Sequence, residues 1–135
     1  MVGQSFKDLV AWQKAINLVV ETYAVTERFP KHELYGLTSQ IRRAAVSVPS
    51  NIAEGQAHYS KPEFRHFLQH ARGSLAELET QVLIAERLKY MDSETSQRLD
   101  RMAEEVGRII NGLIASTRAP GQRTDSAAER EGIQS

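Results

Sequence analysis

Four long segments with a helical spacing of apolar residues constrain the fold of this chain more than any other feature of its sequence. They run from Phe6 to Arg28, from Glu33 to Glu54, from Lys61 to about Ala85, and from Ser93 to about Arg118. Each would be roughly 35–42 Å long as a helix. Because the connections between them are short, neighbouring helices must be antiparallel. The sequence predicts an all-α, up-down antiparallel four-helix bundle.

The predicted core positions are apolar residues three or four apart, which fall on one face of a helix. By segment they are Phe6, Leu9, Trp12, Ile16, Val19, Val20 and Tyr23; Leu34, Leu37, Ile41, Ala44, Val48 and Ile52; Phe64, Leu68, Ala71, Leu75, Leu78, Val82 and Ala85; and Leu99, Met102, Val106, Ile109 and Leu113.

Capping residues stand where three of the four helices are expected to begin. Ser5 with Asp8 forms the pattern of a capping box, and Ser60 precedes Pro62 in the first turn of the third segment. Asp92 or the serine after it is suited to cap the fourth helix. These signals fix the starts of the helices independently of the apolar pattern.

The second helix contains Pro49, which removes one backbone hydrogen bond and crowds the preceding turn. We therefore predict that this helix is kinked at Pro49. Gly55 is the expected stop of the same helix.

Composition is that of an ordinary globular protein, with 41% apolar and 25% charged residues. The absence of cysteine excludes disulfides and thiolate chemistry, and no run of apolar residues is long enough for a membrane span. The beginning of the sequence lacks the pattern of a secretory signal, so we expect a cytoplasmic protein. We predict one domain over residues 1–118 and a disordered tail over 119–135, which has few bulky apolar residues.

The net charge is zero, but the charges are unevenly distributed along the chain. From Arg28 to Gly73 there are seven Lys or Arg against three Asp or Glu, together with all four histidines. From Ser74 to Arg118 the balance reverses to six basic and eight acidic residues. A basic half is the feature that would favour an anionic partner.

Two weak metal-binding patterns occur at the start of the third helix. Glu63 and His66 have the Glu-x-x-His spacing of di-iron bundles, but those proteins use the motif twice and this chain has it once. His66 and His70 share a helix face and could bind zinc, although no third ligand is evident. We favour a capping role for Glu63 and surface positions for both histidines. We therefore predict no metal site, no cofactor and no catalytic group.

Arg42 and Arg43 straddle the apolar stripe of the second helix, beside a polar series formed by Gln40, Ser47, Asn51 and Glu54. Three interpretations remain open for the arginines. They could pair with Glu77 or Glu79 of the third helix, they could contact a neighbouring subunit, or they could bind nucleic acid.

The segments SQIRRAAVSVPSNIAEG (39–55) and SKPEFRHFLQHARGSLAELET (60–80) resemble the bacterial four-helix bundle protein family, whose members include proteins encoded within intervening sequences of 23S ribosomal RNA genes. The resemblance extends from about residue 5 to 117. It implies a four-helix bundle that in some members assembles into a homopentameric ring. It implies no established activity.

A related accessory protein of diversity-generating retroelements binds nucleic acid and a reverse transcriptase through a basic surface. Transferred to this chain, the resemblance implies RNA or DNA contacts by basic residues of helices two and three, namely Arg42, Arg43, Lys61, Arg65 and Arg72. Family members usually carry further basic residues where this chain has His58 and Tyr59, which reduces the phosphate contacts available here.

A glycine within the third helix, Gly73, either allows close packing inside the bundle or admits a helix of another subunit. The expected subunit contact consists of Arg42, Ser47, Asn51, Glu54 and Gly73. Three hypotheses follow: an oligomer that binds nucleic acid or a ribonucleoprotein, a protein-protein adaptor or structural ring, and a metal-binding bundle.

Overall fold

The predicted bundle of four antiparallel helices is confirmed by a computed structural model that describes residues 5–58 and 60–118. These residues contain helices and connections but no strand. The elements in chain order are a 3-10 helix Phe6–Asp8, α1 (Val10–Thr26), a 3-10 helix Lys31–Glu33, α2 (Leu37–Gln56), α3 (Lys61–Arg87) and α4 (Ser93–Ser116).

Each helix packs against the next in the sequence, and α1 also packs against α4. This pattern closes the four helices around one core in an up-down-up-down order. The α2–α3 pair has the most extensive contact. The predicted disordered tail, residues 119–135, lies outside the described residues. No helix within the described part of the chain is long and apolar enough to cross a membrane.

The predicted caps are present at three helix starts. The Ser5 N–H donates to Asp8 Oδ2 at 3.3 Å, which completes the capping box, although this box opens the short 3-10 helix that precedes α1. Ser60 Oγ accepts from the Glu63 N–H at 3.2 Å at the start of α3. Asp92 Oδ1 accepts from the third residue of α4 at 2.8 Å. Local sequence therefore fixed these boundaries.

The predicted start of the second helix at Glu33 is wrong, because Glu33 ends a 3-10 turn and α2 begins at Leu37. The Glu33 carboxylate instead accepts from the Leu37 N–H at 3.1 Å and from the Tyr90 hydroxyl at 2.8 Å. The bond from Leu37, followed by that from Tyr90, lowers the pKa of Glu33, and the hydrogen bond to Glu33 raises the pKa of Tyr90. Gly36 leaves room for this carboxylate, since a Cβ there would lie 2.7 Å from Glu33 Oε1.

Pro49 lies buried inside α2, which continues past it to Gln56. The kink at Pro49 stays a prediction. Gly55 is not the helix stop that the sequence suggested, because it lies within α2. A Cβ at Gly55 would be 2.8 Å from Phe67 Cβ and 3.0 Å from Phe64 Cδ1. Gly55 therefore lies at a tight contact between α2 and α3, where a larger side chain would require the α3 residues to shift.

The core confirms the predicted stripe of α3 and most of that of α2, whereas α1 and α4 are rotated from the prediction. In α1, Val20 and Tyr23 are exposed, and the buried residues are mostly small. In α4, Met102, Ile109 and Leu113 flank the core instead of filling it. The buried residues of these two helices are Ala11, Ala15, Leu18, Thr22, Val25 and Thr26 in α1, and Ser96, Leu99, Ala103, Val106, Ile110 and Ile114 in α4.

Candidate functional site

The five residues predicted to contact nucleic acid do not form one surface. Arg42 lies on the side of α2 that faces α1, where it hydrogen-bonds with residues at the end of α1. Arg43 lines a cavity between α2 and α3. Lys61, Arg65 and Arg72 follow one side of α3, and the last two reach residues at the end of the chain's fourth helix. The set therefore divides among three sides of the bundle.

Arg42 is held within the subunit by three contacts. Its Nε–H donates to Thr26 Oγ1 at 2.9 Å, and a terminal nitrogen lies 3.3 Å from a Glu27 carboxylate oxygen. The guanidinium also lies 4.5 Å from the centre of the Tyr23 ring, within the range of a cation–π interaction. These contacts give Arg42 a role in joining α1 to α2.

Neither arginine pairs with Glu77 or Glu79, so the predicted pairing with the third helix is wrong. Arg43 and Glu77 line the same cavity of about 390 Å³ but form no hydrogen bond or ion pair with each other. Gln81 lines it too, with only 9% of its surface exposed and no partner for its Oε1 among the described residues. This cavity thus presents an unsatisfied acceptor beside two charges of opposite sign.

Part of the predicted polar series forms a bridge between α2 and α3. The Ser47 and Ser74 hydroxyls are 2.8 Å apart, and Asn51 Nδ2 donates to the Ser47 carbonyl at 2.8 Å and to its hydroxyl at 3.0 Å. Glu54, the last member of the predicted subunit contact on α2, is exposed. Arg42 lies apart from this series because it faces α1.

The outward side of α3 carries a line of residues at helical spacing, which we call the outer stripe of α3. Its members are His66, His70, Gly73, Glu77, Ile84 and Leu88. A Cβ at Gly73 would meet nothing within 4 Å, so this glycine is not used for packing inside the bundle. Ile84 and Leu88 are 44% and 50% exposed.

Sequence reasoning missed Ile84, Leu88 and Gln81 as surface features. The available signal was their position outside the predicted core stripe of the third helix. Large apolar residues that are periodic with each other but not with the core indicate a second apolar surface. Gln81 carried no such signal, since its unsatisfied state depends on which groups of α2 lie opposite.

The side of α3 that faces α4 is basic at one end of the bundle. Lys61, Arg65 and Arg72 lie on it, with Arg65 donating to the Thr117 carbonyl at 3.1 Å and Arg72 to Asn111 Oδ1 at 3.1 Å. Arg65 is half-buried, whereas Lys61 and Arg72 are exposed. Two of the three cations thus keep accessible charge while one supports the end of the bundle.

The other end of the same side is acidic. Burial raises the pKa of Glu79, with further contributions from the charges of Asp100 and Glu104. Burial likewise raises the pKa of Asp100, together with Glu104 and Glu86. The α3–α4 side is therefore dipolar, a spatial form of the uneven charge seen along the sequence.

The Glu-x-x-His motif does not assemble into a site. Glu63 Oε2 lies 2.6 Å from His58 Nδ1 instead of approaching His66. His66 Nε2 and His70 Nε2, in contrast, are 3.2 Å apart. Within the described residues no group of three or more His, Cys, Asp or Glu side chains is arranged to hold a metal ion.

A cavity of about 650 Å³ lies between the end of α1 and the α3–α4 connection. Its charged lining residues balance, with three acidic and three basic side chains, namely Glu21, Glu86, Asp92, Arg28, Lys89 and Arg98. Arg98 is bound to Glu21 at 2.7 Å. The cavity therefore favours neither an anionic nor a cationic ligand.

Comparison with known proteins gives a family and a fold. Residues 7–112 match the family described as 23S rRNA-intervening sequence protein. The structure is similar to that of a protein of unknown function from the S23 ribosomal protein family of Bacteroides thetaiotaomicron, with a TM-score of 0.70 and 20% sequence identity. The match covers 78% of this chain and 98% of that protein. No curated protein matches the sequence.

Proposed function

The chain belongs to the 23S rRNA-intervening sequence protein family, and we propose that it works as a non-enzymatic, self-associating four-helix bundle. In this proposal the outer face of α2 and α3 is the surface that binds the next copy. The ring of five copies implied by the family resemblance is the specific form that we propose for the assembly.

The observation that carries the proposal is the open space beside Gly73. A glycine in the interior of a helix costs about 1 kcal/mol relative to alanine. No neighbour within the subunit requires it, because an added Cβ would meet nothing within 4 Å. A helix of a second copy, packed close to the α3 backbone, is the arrangement that would use this position.

The rest of the face suits a protein partner. The exposed Ile84 and Leu88 supply apolar area at one end, and the groove beside them contains Arg43, Glu77 and the unsatisfied Gln81 Oε1. A mixture of apolar anchors and polar groups is typical of contacts between subunits. A partner packed here would be within reach of the exposed Arg43 and Glu77, which form no ion pair with each other.

A ring requires each copy to offer two different faces, because its contacts are head-to-tail. We propose that the second face is the outside of α1. Val20, at 64% exposed, lies opposite the buried face of α1, and Val10 (52%) and Tyr23 (42%) lie on its two flanks. The outside of α1 in one copy would then lie along the α2–α3 groove of the next.

Two matched glycine variants test the proposal. Gly73 and Gly112 are both exposed helix residues whose added Cβ would meet nothing within 4 Å. Gly73→Phe should therefore block the proposed contact without disturbing the subunit, whereas Gly112→Phe makes the same change on α4. The measurement is the mass of the full-length, untagged chain by light scattering during size-exclusion chromatography.

We expect an assembly for the parent chain and for Gly112→Phe, and a monomer for Gly73→Phe with unchanged helix content by circular dichroism. A monomeric parent chain at about 100 µM would overturn self-association, since functional assemblies commonly have Kd values well below that range. An assembly that persists in Gly73→Phe would instead remove the α2–α3 face as its contact.

A second candidate function is nucleic-acid binding through the basic end of the α3–α4 side. Lys61, Arg65 and Arg72 lie within twelve residues on one side of α3, about 16 Å of helix. In a ring, several copies of this patch could bind one nucleic acid together, so that weak individual contacts would give a higher overall affinity. Because self-association uses the α2–α3 face, both functions could coexist in one assembly.

This candidate is tested by titrating single-stranded RNA against the assembled protein at 50 and 200 mM salt. We expect affinity to fall steeply with salt, and Lys61→Gln combined with Arg72→Gln to weaken binding and reduce the salt slope. Removal of a negative charge at the acidic end, as in Glu86→Gln, serves as the control. Absence of binding at 50 mM salt would eliminate this function.

A further inference from the structure

Two histidines of the outer stripe of α3 have the geometry of paired metal ligands. His66 and His70 stand four residues apart, and their Nε2 atoms are separated by 3.2 Å. Their rings are nearly perpendicular, at 79° with centroids 4.5 Å apart. Both side chains are exposed, so an ion can reach them from solvent.

The separation matches what a tetrahedral ion requires. Zinc binds imidazole nitrogen at about 2.0–2.1 Å, so two nitrogens 3.2 Å apart subtend an angle of about 100° at the ion. That angle is close to the tetrahedral value. The backbone of α3 already holds both ligands in place, since both side chains project from adjacent turns of one continuous helix.

We propose that His66 and His70 form a two-histidine site for a divalent transition ion of the zinc, nickel and copper class. Imidazole suits these ions, whereas magnesium and calcium prefer oxygen ligands. Water occupies the remaining coordination positions, because no third protein ligand is grouped with the pair among the described residues. Both ligands lie on one chain, and Gly73 lines the same cavity, so the site adjoins the contact proposed for self-association.

The neighbouring groups leave this pair free for an ion. Glu63, the nearest acidic residue in the sequence, is engaged by His58 at 2.6 Å. The ring of His58 is stacked on Phe67 with centroids 5.1 Å apart, which fixes that histidine away from the pair. His66 and His70 also line a cavity of about 410 Å³, large enough for a hydrated ion.

Isothermal titration of the untagged chain with zinc, nickel and copper salts, one at a time, tests the site. We expect one ion per chain, with copper bound most tightly, and no binding of magnesium. His66→Gln or His70→Gln should weaken binding at least about tenfold, because even outer-sphere changes at metal sites cost about 10–100-fold. His32→Gln is the matched control, an exposed histidine that lies against Tyr90.

Thermal unfolding gives a second readout. An ion that binds the folded chain should raise the Tm of the parent and of His32→Gln, but not that of the variant lacking both His66 and His70. Circular dichroism confirms that this variant remains helical. Failure of the parent chain to bind any of the three ions would overturn the site, as would equal binding by the double variant or one ion per two chains.

Discussion

The α1–α4 side and the α2–α3 side of the bundle treat their charges differently. Across α1–α4, Lys14 pairs with Glu105 at 2.8 Å and Glu21 pairs with Arg98 at 2.7 Å. Across α2–α3 no ion pair joins the described residues of the two helices. Instead the two helices meet at a tight contact at Gly55, where an added Cβ would lie 2.8 Å from Phe67 Cβ.

This difference indicates which side of the bundle pairs its surface charges within the subunit and which side leaves them available to a partner. The α1–α4 side satisfies its surface groups within the subunit, although such exposed pairs contribute little to stability. The α2–α3 side is stabilised by packing and leaves the exposed Arg43 without an ion pair among the described residues, whereas Gln81 Oε1 is unsatisfied beneath the surface. A surface that does not need its polar groups for folding can use them for a partner.

The largest effect on stability is expected when one methyl group is added between α2 and α3 and compared with one added on α4. Gly55→Ala should destabilise the fold by about 2 kcal/mol, because overpacking of a tight contact costs about 1–3 kcal/mol. The new Cβ would lie 2.8 Å from Phe67 Cβ, an atom fixed close to the backbone. The measurement is urea unfolding followed by circular dichroism at fixed protein concentration.

Gly107→Ala on α4 is the control for this change. Its Cβ would make an ordinary 3.7 Å contact with Leu75 Cδ1. We expect a gain of about 0.5–1 kcal/mol from the better helix propensity of alanine. Equal effects of the two substitutions would show that the α2–α3 contact at Gly55 is no tighter than the α3–α4 contact at Gly107.

A smaller loss of stability is expected when the polar bridge between α2 and α3 is removed. Ser47→Ala removes the bond to Ser74 and one of the two bonds from Asn51, so we expect a loss of about 1 kcal/mol. Ser50→Ala, an exposed position on the same helix, should stay within about 0.5 kcal/mol of the parent chain. Equal urea midpoints for the two variants would deny the bridge any part in joining the helices.

The acidic end of the α3–α4 side should make the stability of the bundle depend on pH. The pKa of Glu79 is raised in the folded chain above its ordinary 4.5, so the folded state holds this proton more readily than the unfolded state. Glu79 therefore lowers stability above its raised pKa, and this effect disappears as pH falls below the unfolded value. Glu79→Gln should stabilise the chain at neutral pH by about 0.5 kcal/mol or less, given solvent screening.

Unfolding midpoints at pH 7 and pH 4 check this expectation, with Glu77→Gln on the outer stripe of α3 as the control. The advantage of Glu79→Gln should shrink at the lower pH. An advantage that grows on acidification would mean that the carboxylate at position 79 is stabilised by the fold rather than destabilised.

The smallest effect is expected on the α1–α4 side. Glu21→Gln breaks the pair with Arg98, whose side chain is 46% exposed, so the loss should be about 0.5 kcal/mol or less. In 1 M salt the difference from the parent chain should nearly vanish. A loss above about 1.5 kcal/mol would show that the α1–α4 side depends on its ion pairs for stability, contrary to our expectation.

The sequence predicted helices better than it predicted their rotation. In α3 every residue of the predicted core stripe except Phe64 is buried, and the exposed Ile84 and Leu88 lie outside that stripe. In α1, the face with Ala11 and Ala15 is buried, whereas the bulkier Val20 and Tyr23 are exposed. Small side chains let α1 pack closely, which a ranking by apolar bulk does not capture.

The candidate site was less predictable because it depends on which sides of different helices meet. The polar spacing of Ser47 and Asn51 indicated a distinct surface, and the structure joins them to α3. The partner of Arg42 is Glu27, which depends on the rotation of α2 against α1. No local pattern in the sequence determines that rotation.

The hydrogen bond from Tyr90 to Glu33 has a consequence for folding kinetics. It joins the α1–α2 connection to the α3–α4 connection, 57 residues apart in the chain, so we expect it to form late, when the two halves of the chain dock. Contacts made after the transition state have φ-values near zero. Tyr90→Phe should accordingly accelerate unfolding and leave the refolding rate unchanged, which makes this bond a kinetic latch on the finished bundle.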